Sequence, residues 1–198
     1  MVLTVPNLLT LLRLVLAPLV GVCLGGEQAW MVWVGAFLFA VAAITDGIDG
    51  WIARQYAQST PEGAFLDPLA DKVLALSVLL PLSWLGIAPV WMVIVLVVRD
   101  IAATLLRWYS LQQGKPVRTL FSAQVKTFLQ MGGLAIVVFL LALWRGGGGY
   151  AELAGILLFS DWLWAFFLAI TLLALWTLGV YAWRYRNTIA ALGGRLFR

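Results

Sequence analysis

Histidine is absent from this chain, and cysteine occurs once, as Cys23. The first absence excludes the usual general base of neutral pH and the commonest transition-metal ligand. The second excludes any disulfide within the chain, and the place of Cys23 inside an apolar run gives it the expected role of a small buried residue. Charge is scarce as well. Only 11% of the 198 residues are Asp, Glu, Lys or Arg, against about 25% in a typical soluble domain. Any chemistry here must come from carboxylates, arginine and lysine.

What is abundant is apolar sequence. Hydrophobic residues make up 63% of the chain and mean hydropathy is +0.98, which marks an integral membrane protein. Six apolar runs, at about 8 to 25, 29 to 48, 67 to 84, 88 to 109, 122 to 144 and 155 to 183, each approach the ~20 residues that a helix needs to cross the hydrocarbon core. The fold class expected is therefore all-α, with six transmembrane helices in a single domain over 1–198. The first run lacks a basic flank and a small-residue cleavage pattern, and is expected to be a retained helix rather than a signal peptide. Gly146 to Gly149 is expected to be a flexible connection without a phosphate-binding role.

Basic residues orient these helices. With six spans, twelve of the 13 Lys and Arg fall on one side and Arg145 alone on the other, so the positive-inside rule puts both termini in the cytoplasm. The net charge of +4 thus reflects membrane orientation, and no nucleic-acid partner is expected. Trp30, Trp84, Trp91, Trp144, Trp162 and Trp183 fall near the ends of the runs, as interfacial anchors do.

Four aspartates stand out against this background. Asp46 and Asp49 close the second run, and Asp67 and Asp71 open the third, where each charge costs about 2.5 to 3.5 kcal/mol if left at a bilayer centre. Residues three or four apart share a helix face, so each pair projects together and the two pairs could form a four-carboxylate cage. Like charges so close would protonate unless cations sat among them. Oxygen-only ligands suit hard ions such as Mg²⁺ or Mn²⁺, and two such ions could clamp a diphosphate. Gly50 and Ala53 remove bulk beside Asp49, Arg54 can pair with a phosphate, and Gly63 permits a turn. On spacing alone, an ion-pair network with Arg54 and Lys72, or the ion path of a cation transporter, also accounts for the carboxylates.

The arrangement Asp46-x-x-Asp49-Gly50-x-x-Ala53-Arg54, followed eight residues later by Gly63-x-x-x-Asp67-x-x-x-Asp71, resembles the complete signature of the CDP-alcohol phosphatidyltransferases. The resemblance implies attack of an alcohol on a phosphorus of a CDP-linked lipid, with release of CMP. It further implies that Asp46, Asp49, Asp67 and Asp71 hold the metals, that Asp71 is also the general base, and that Gly50, Ala53, Arg54 and Gly63 contact the CDP moiety. It implies a homodimer in the inner (plasma) membrane with the site facing the cytoplasm.

The acceptor is sought in the second half. Arg99, Arg107, Lys115, Arg118 and Lys126 form a basic surface suited to an acceptor bearing its own phosphate, and Arg99, Arg107, Arg118 and Lys126 are the expected phosphate ligands. The stretch Pro6-Asn7-Leu8-Leu9-Thr10-Leu11-Leu12-Arg13, with Arg99-Asp100, Arg107 and Lys126-Thr127-x-x-Gln130-Met131, is similar to the bacterial phosphatidylglycerophosphate synthases, which implies CDP-diacylglycerol as donor and glycerol 3-phosphate as acceptor. Asn7, Thr10 and Arg13 recur every three residues and are expected to line the nucleotide pocket from one strip of the first helix; capping by Asn7 is the plainer alternative. The competing readings are a cardiolipin synthase of the same superfamily, with phosphatidylglycerol as acceptor, a cation transporter, and an inactive membrane scaffold.

Overall fold

The structure is a computed structural model that describes residues 5–55, 61–112 and 121–184, with side chains at 7–46, 66, 68–106 and 124–183. Secondary structure among the described residues is entirely helical: α1 (Val5–Gly25), α2 (Ala29–Gln55), α3 (Pro61–Trp84), α4 (Val90–Gln112), α5 (Phe121–Gly146), α6 (Ala151–Leu158) and α7 (Asp161–Arg184). In lipid the backbone must satisfy its own polar groups, and helices do so locally. Four stretches are long and apolar enough to cross a membrane, namely Asn7–Gly25, Ala29–Asp46, Gln124–Gly146 and Asp161–Trp183. This is a membrane protein.

Two boundaries differ from the sequence expectation. α2 continues to Gln55 and α3 starts at Pro61, so the aspartates sit within helices, about two to three turns inside the ends. Arg54 and Gln55 are good helix formers, and Pro61 followed by Glu62 suits a helix N-terminus. The sixth run, expected to be continuous, is divided at Phe159 and Ser160. The Ser160 hydroxyl donates to the Leu157 carbonyl at 2.7 Å and accepts from the Leu163 N–H at 3.4 Å. The serine thereby ends α6 and opens α7, whose first residue, Asp161, complements the helix dipole. A helix of eight residues, as α6 is, reaches only ~12 Å.

One apolar core joins the helices, with Ala17, Val20 and Leu24 of α1, Leu74, Val78 and Leu82 of α3, Met92 and Leu96 of α4, Leu134 and Leu141 of α5, and Phe167 and Ala174 of α7 among its buried members. α1 packs against α2 and α3, α5 against α6, α2 and α7, and α4 against α7 and α3. Two glycines permit close approaches between helices. A Cβ on Gly21 would lie 3.0 Å from the Ser77 carbonyl oxygen, so α1 and α3 meet nearly backbone to backbone. A Cβ on Gly133 would lie 2.0 Å from the Phe166 ring, where α7 crosses α5. Of the tetraglycine, Gly146 ends α5, while Gly147 and Gly148 turn the chain with φ of 72° and 89°. Cys23 is half-buried rather than buried. Trp30, Trp84, Trp91, Trp162 and Trp183 are exposed, whereas Trp144 packs edge-on against Phe159 of the α6–α7 junction.

Candidate functional site

Close packing of α1 on α3 and α2 carries Arg13 to the aspartates. Its guanidinium nitrogen Nη1 lies 2.7 Å from Asp46 Oδ1 of α2 and 2.9 Å from Asp71 Oδ1 of α3. One cation thus draws together carboxylates from both halves of the aspartate motif. The Arg13 side chain is fully buried, while Asp46 and Asp71 remain 45% and 35% exposed. Each carboxylate therefore presents oxygen lone pairs to the open side of the site. Thr10 and Asn7 are buried on the same strip of α1 as Arg13, about one turn and two turns towards its start.

The alternative reading of the carboxylates as an ion-pair network named Arg54 and Lys72; the structure adds Arg13 as a counter-ion of Asp46 and Asp71. The signal available was that Arg13 is the sole charge in the first apolar run, where an unpaired guanidinium is costly. Asp49, Gly50, Ala53 and Arg54 continue α2, Gly63 and Asp67 lie in α3, and Arg107 lies in α4, but their side chains fall outside the described residues. Lys115 and Arg118 fall outside them altogether. Among the described residues no group of three or more acidic side chains forms, so Asp46 and Asp71 alone represent the expected cage.

A second charged cluster ties α4, α5 and α7. Lys126 Nζ lies 3.0 and 3.1 Å from the two oxygens of Asp100. Arg99 donates from Nη1 to Asp100 Oδ1 at 2.8 Å and from Nη2 to Thr177 Oγ1 at 2.7 Å. Arg99, Lys126 and Thr177 are buried, and the Asp100 side chain is 17% exposed. Sequence reasoning singled out Arg99 and Lys126 but assigned no role to Asp100 or Thr177. Asp100 carried a signal, as a carboxylate inside an apolar run; Thr177 carried none, because a threonine in a membrane helix ordinarily bonds its own helix.

A cavity of about 440 Å³ lies between α3 and α4, with Lys72 on one wall, Asp100 and Thr104 on the other, and Gln130 contributed by α5. Asp100 of the second cluster lines this cavity, and Lys72, the chain neighbour of Asp71, lines it from α3. Its remaining walls, Leu79 and Leu96 among them, are apolar.

Chemically, one cluster offers carboxylate oxygens to a hard cation and the other offers buried cations to an anion. Two carboxylates converging on one positive atom fit a divalent ion in donor type and charge.

The chain is similar in sequence to known proteins. Residues 3–175 match the family described as CDP-alcohol phosphatidyltransferase. A Mycobacterium tuberculosis protein named probable phosphatidylglycerophosphate synthase is 40% identical over 140 residues, 69% of this chain and 66% of the relative. Proteins of Salmonella typhimurium and Escherichia coli, both named CDP-diacylglycerol–glycerol-3-phosphate 3-phosphatidyltransferase, are 39% and 37% identical over 162 residues, 78% of this chain and 84% of theirs. Motif, helices and likeness over most of the sequence agree: this chain belongs to the CDP-alcohol phosphatidyltransferase family.

Proposed function

We propose that this chain transfers the phosphatidyl group of CDP-diacylglycerol to glycerol 3-phosphate, giving phosphatidylglycerophosphate and CMP. The observation that carries the reading is that one helical bundle holds both a carboxylate cluster, Asp46 and Asp71, and a buried cationic cluster, Arg99 and Lys126, whose shared partner Asp100 lines a cavity. The names of the relatives support the same donor and acceptor.

Asp46, Asp49, Asp67 and Asp71 would hold Mg²⁺ or Mn²⁺, two ions in all. Bound there, the metal neutralises charge on the diphosphate. Asn7, Thr10, Gly50, Ala53, Arg54 and Gly63 bind the CDP moiety, and Arg13, by its ion pairs, orients Asp46 and Asp71. Arg99, Lys126, Arg107 and Arg118 take the acceptor's phosphate. Asp71 removes the proton from the acceptor hydroxyl. That oxygen bonds to the phosphorus carrying diacylglycerol, the bond from this phosphorus to CMP breaks, and CMP departs with the electron pair. The diacylglycerol tails stay in the bilayer throughout.

For the topology we propose six spans, α1 to α5 and α7, in one domain over 1–198, with both termini and the site on the cytoplasmic side of the inner (plasma) membrane. The distribution of basic residues supports this. Family likeness supports a homodimer.

The test is CMP release by purified protein in detergent with CDP-diacylglycerol and Mg²⁺. Release with glycerol 3-phosphate and not with phosphatidylglycerol is expected. Release with phosphatidylglycerol alone would replace the reading with a cardiolipin synthase, and release with neither would overturn the acceptor while leaving the family intact.

A further inference from the structure

We propose that Asp100 and Thr177 are positioning residues for the acceptor's phosphate: together they hold Arg99 and Lys126 in place to receive a phosphomonoester. This rests on the reading of glycerol 3-phosphate as acceptor. Arg99 and Lys126 have long, rotamer-rich side chains on different helices, and a site that leaves them loose must order them at each binding event. Asp100 removes that cost for both, since its Oδ1 accepts from Arg99 and from Lys126 and its Oδ2 accepts a second contact from Lys126.

Thr177 fixes the other end of the guanidinium. Its hydroxyl donates to the Ala174 carbonyl at 2.9 Å, so a lone pair is directed to Arg99 Nη2 at 2.7 Å. The planar fork of Arg99 is therefore gripped at both terminal nitrogens, by α4 itself and by α7. Its Nε–H is buried with no hydrogen-bond partner among the described residues, which leaves a donor for an incoming oxygen.

Charge then selects the ligand. Arg99, Lys126 and Asp100 sum to one positive charge in a nearly closed site, and buried charge without compensation is destabilising. A phosphomonoester carries up to two negative charges and compensates this surplus better than a phosphodiester, which carries one, or a neutral alcohol. Asp100 is therefore doubly required: without it two buried cations would repel, and with it one positive charge remains for the acceptor.

The experiment is steady-state kinetics of the full chain in detergent with CDP-diacylglycerol, glycerol 3-phosphate and Mg²⁺, comparing Thr177→Val, Thr177→Ser, Asp100→Asn and Thr171→Val. Valine matches threonine in shape, so Thr177→Val loses one hydrogen bond to a charged group; KM for glycerol 3-phosphate should rise about tenfold while kcat and KM for CDP-diacylglycerol stay within about twofold. Thr177→Ser should restore the wild-type KM. Asp100→Asn should raise the same KM further. Thr171, also buried on α7, donates among the described residues only to the Phe167 carbonyl, at 2.8 Å, and Thr171→Val should change neither KM. An unchanged acceptor KM in Thr177→Val, or equal rises in both KM values without rescue by serine, would overturn the proposal. Wild-type protein inactive with glycerol 3-phosphate would overturn the acceptor reading, and the positioning role with it.

Discussion

The two charged clusters are near mirror images in charge. Around Arg13, one cation serves two carboxylates, and those carboxylates are 45% and 35% exposed. Around Asp100, one carboxylate serves two cations, and the cations are almost wholly buried. The first has negative charge to spare at an open edge; the second has positive charge to spare in a closed interior. A membrane enzyme that brings a metal-bound diphosphate to an anionic acceptor needs both. The comparison teaches that net charge, rather than the number of charges, distinguishes the clusters: of the groups named, the first sums to one negative charge and the second to one positive.

The largest effects should follow from the open cluster. Asp71→Asn keeps the shape of the carboxylate and removes its basicity. Turnover should fall by at least ~10²-fold, the usual contribution of a general base, while CDP-diacylglycerol binding, measured by equilibrium binding in detergent, is retained. Activity near that of the wild type would remove Asp71 from its role. Asp49→Ala should lose metal-stimulated turnover as well as activity, and chelation by EDTA should do the same to the wild type, with recovery on adding Mg²⁺; persistent turnover in either case would sink the cage.

Arg13→Met probes stability where the others probe chemistry. It leaves Asp46 and Asp71 facing each other without their shared cation, which for a buried pair costs about 3 to 5 kcal/mol; the exposure of the two carboxylates brings the expected loss towards ~3 kcal/mol or below. Thermal unfolding in detergent should show a lowered Tm that Mg²⁺ raises more than it raises the wild type. A Tm insensitive to both would show that Arg13 does not hold the carboxylates together. Gly21→Val should have the smallest effect, since it only pushes α1 from α3 at the Ser77 carbonyl. Overpacking of this kind costs ~1 to 3 kcal/mol, and both Tm and turnover should fall modestly.

The charged residues that the structure gathers into clusters were partly legible beforehand where their determinants are local. Asp46 and Asp49, and Asp67 and Asp71, announce themselves through helical spacing and through the cost of charge among apolar residues. Arg99 and Lys126 were legible for the second reason. Arg13 was assigned to the nucleotide strip of the first helix, and its pairing with the aspartates was not foreseen. Its contact with Asp71 spans 58 residues, and which of several cations reaches a carboxylate depends on how α1 is rotated against α3. The contact of Arg99 with Thr177 spans 78 residues, and a threonine hydroxyl has no sequence pattern that says whether it serves its own helix or another.

By itself the sequence determined the membrane class, the helical content and the aspartate motif, because lipid enforces hydropathy and helix geometry enforces the three- and four-residue spacing. Tertiary structure alone decided that Arg13 draws Asp46 to Asp71, that Asp100 holds Arg99 and Lys126 while Thr177 holds Arg99, and that the last apolar run is divided at Ser160. Those outcomes turn on helix rotation and close approach, at Gly21 and Gly133 above all, and such packing is settled only when all the helices meet.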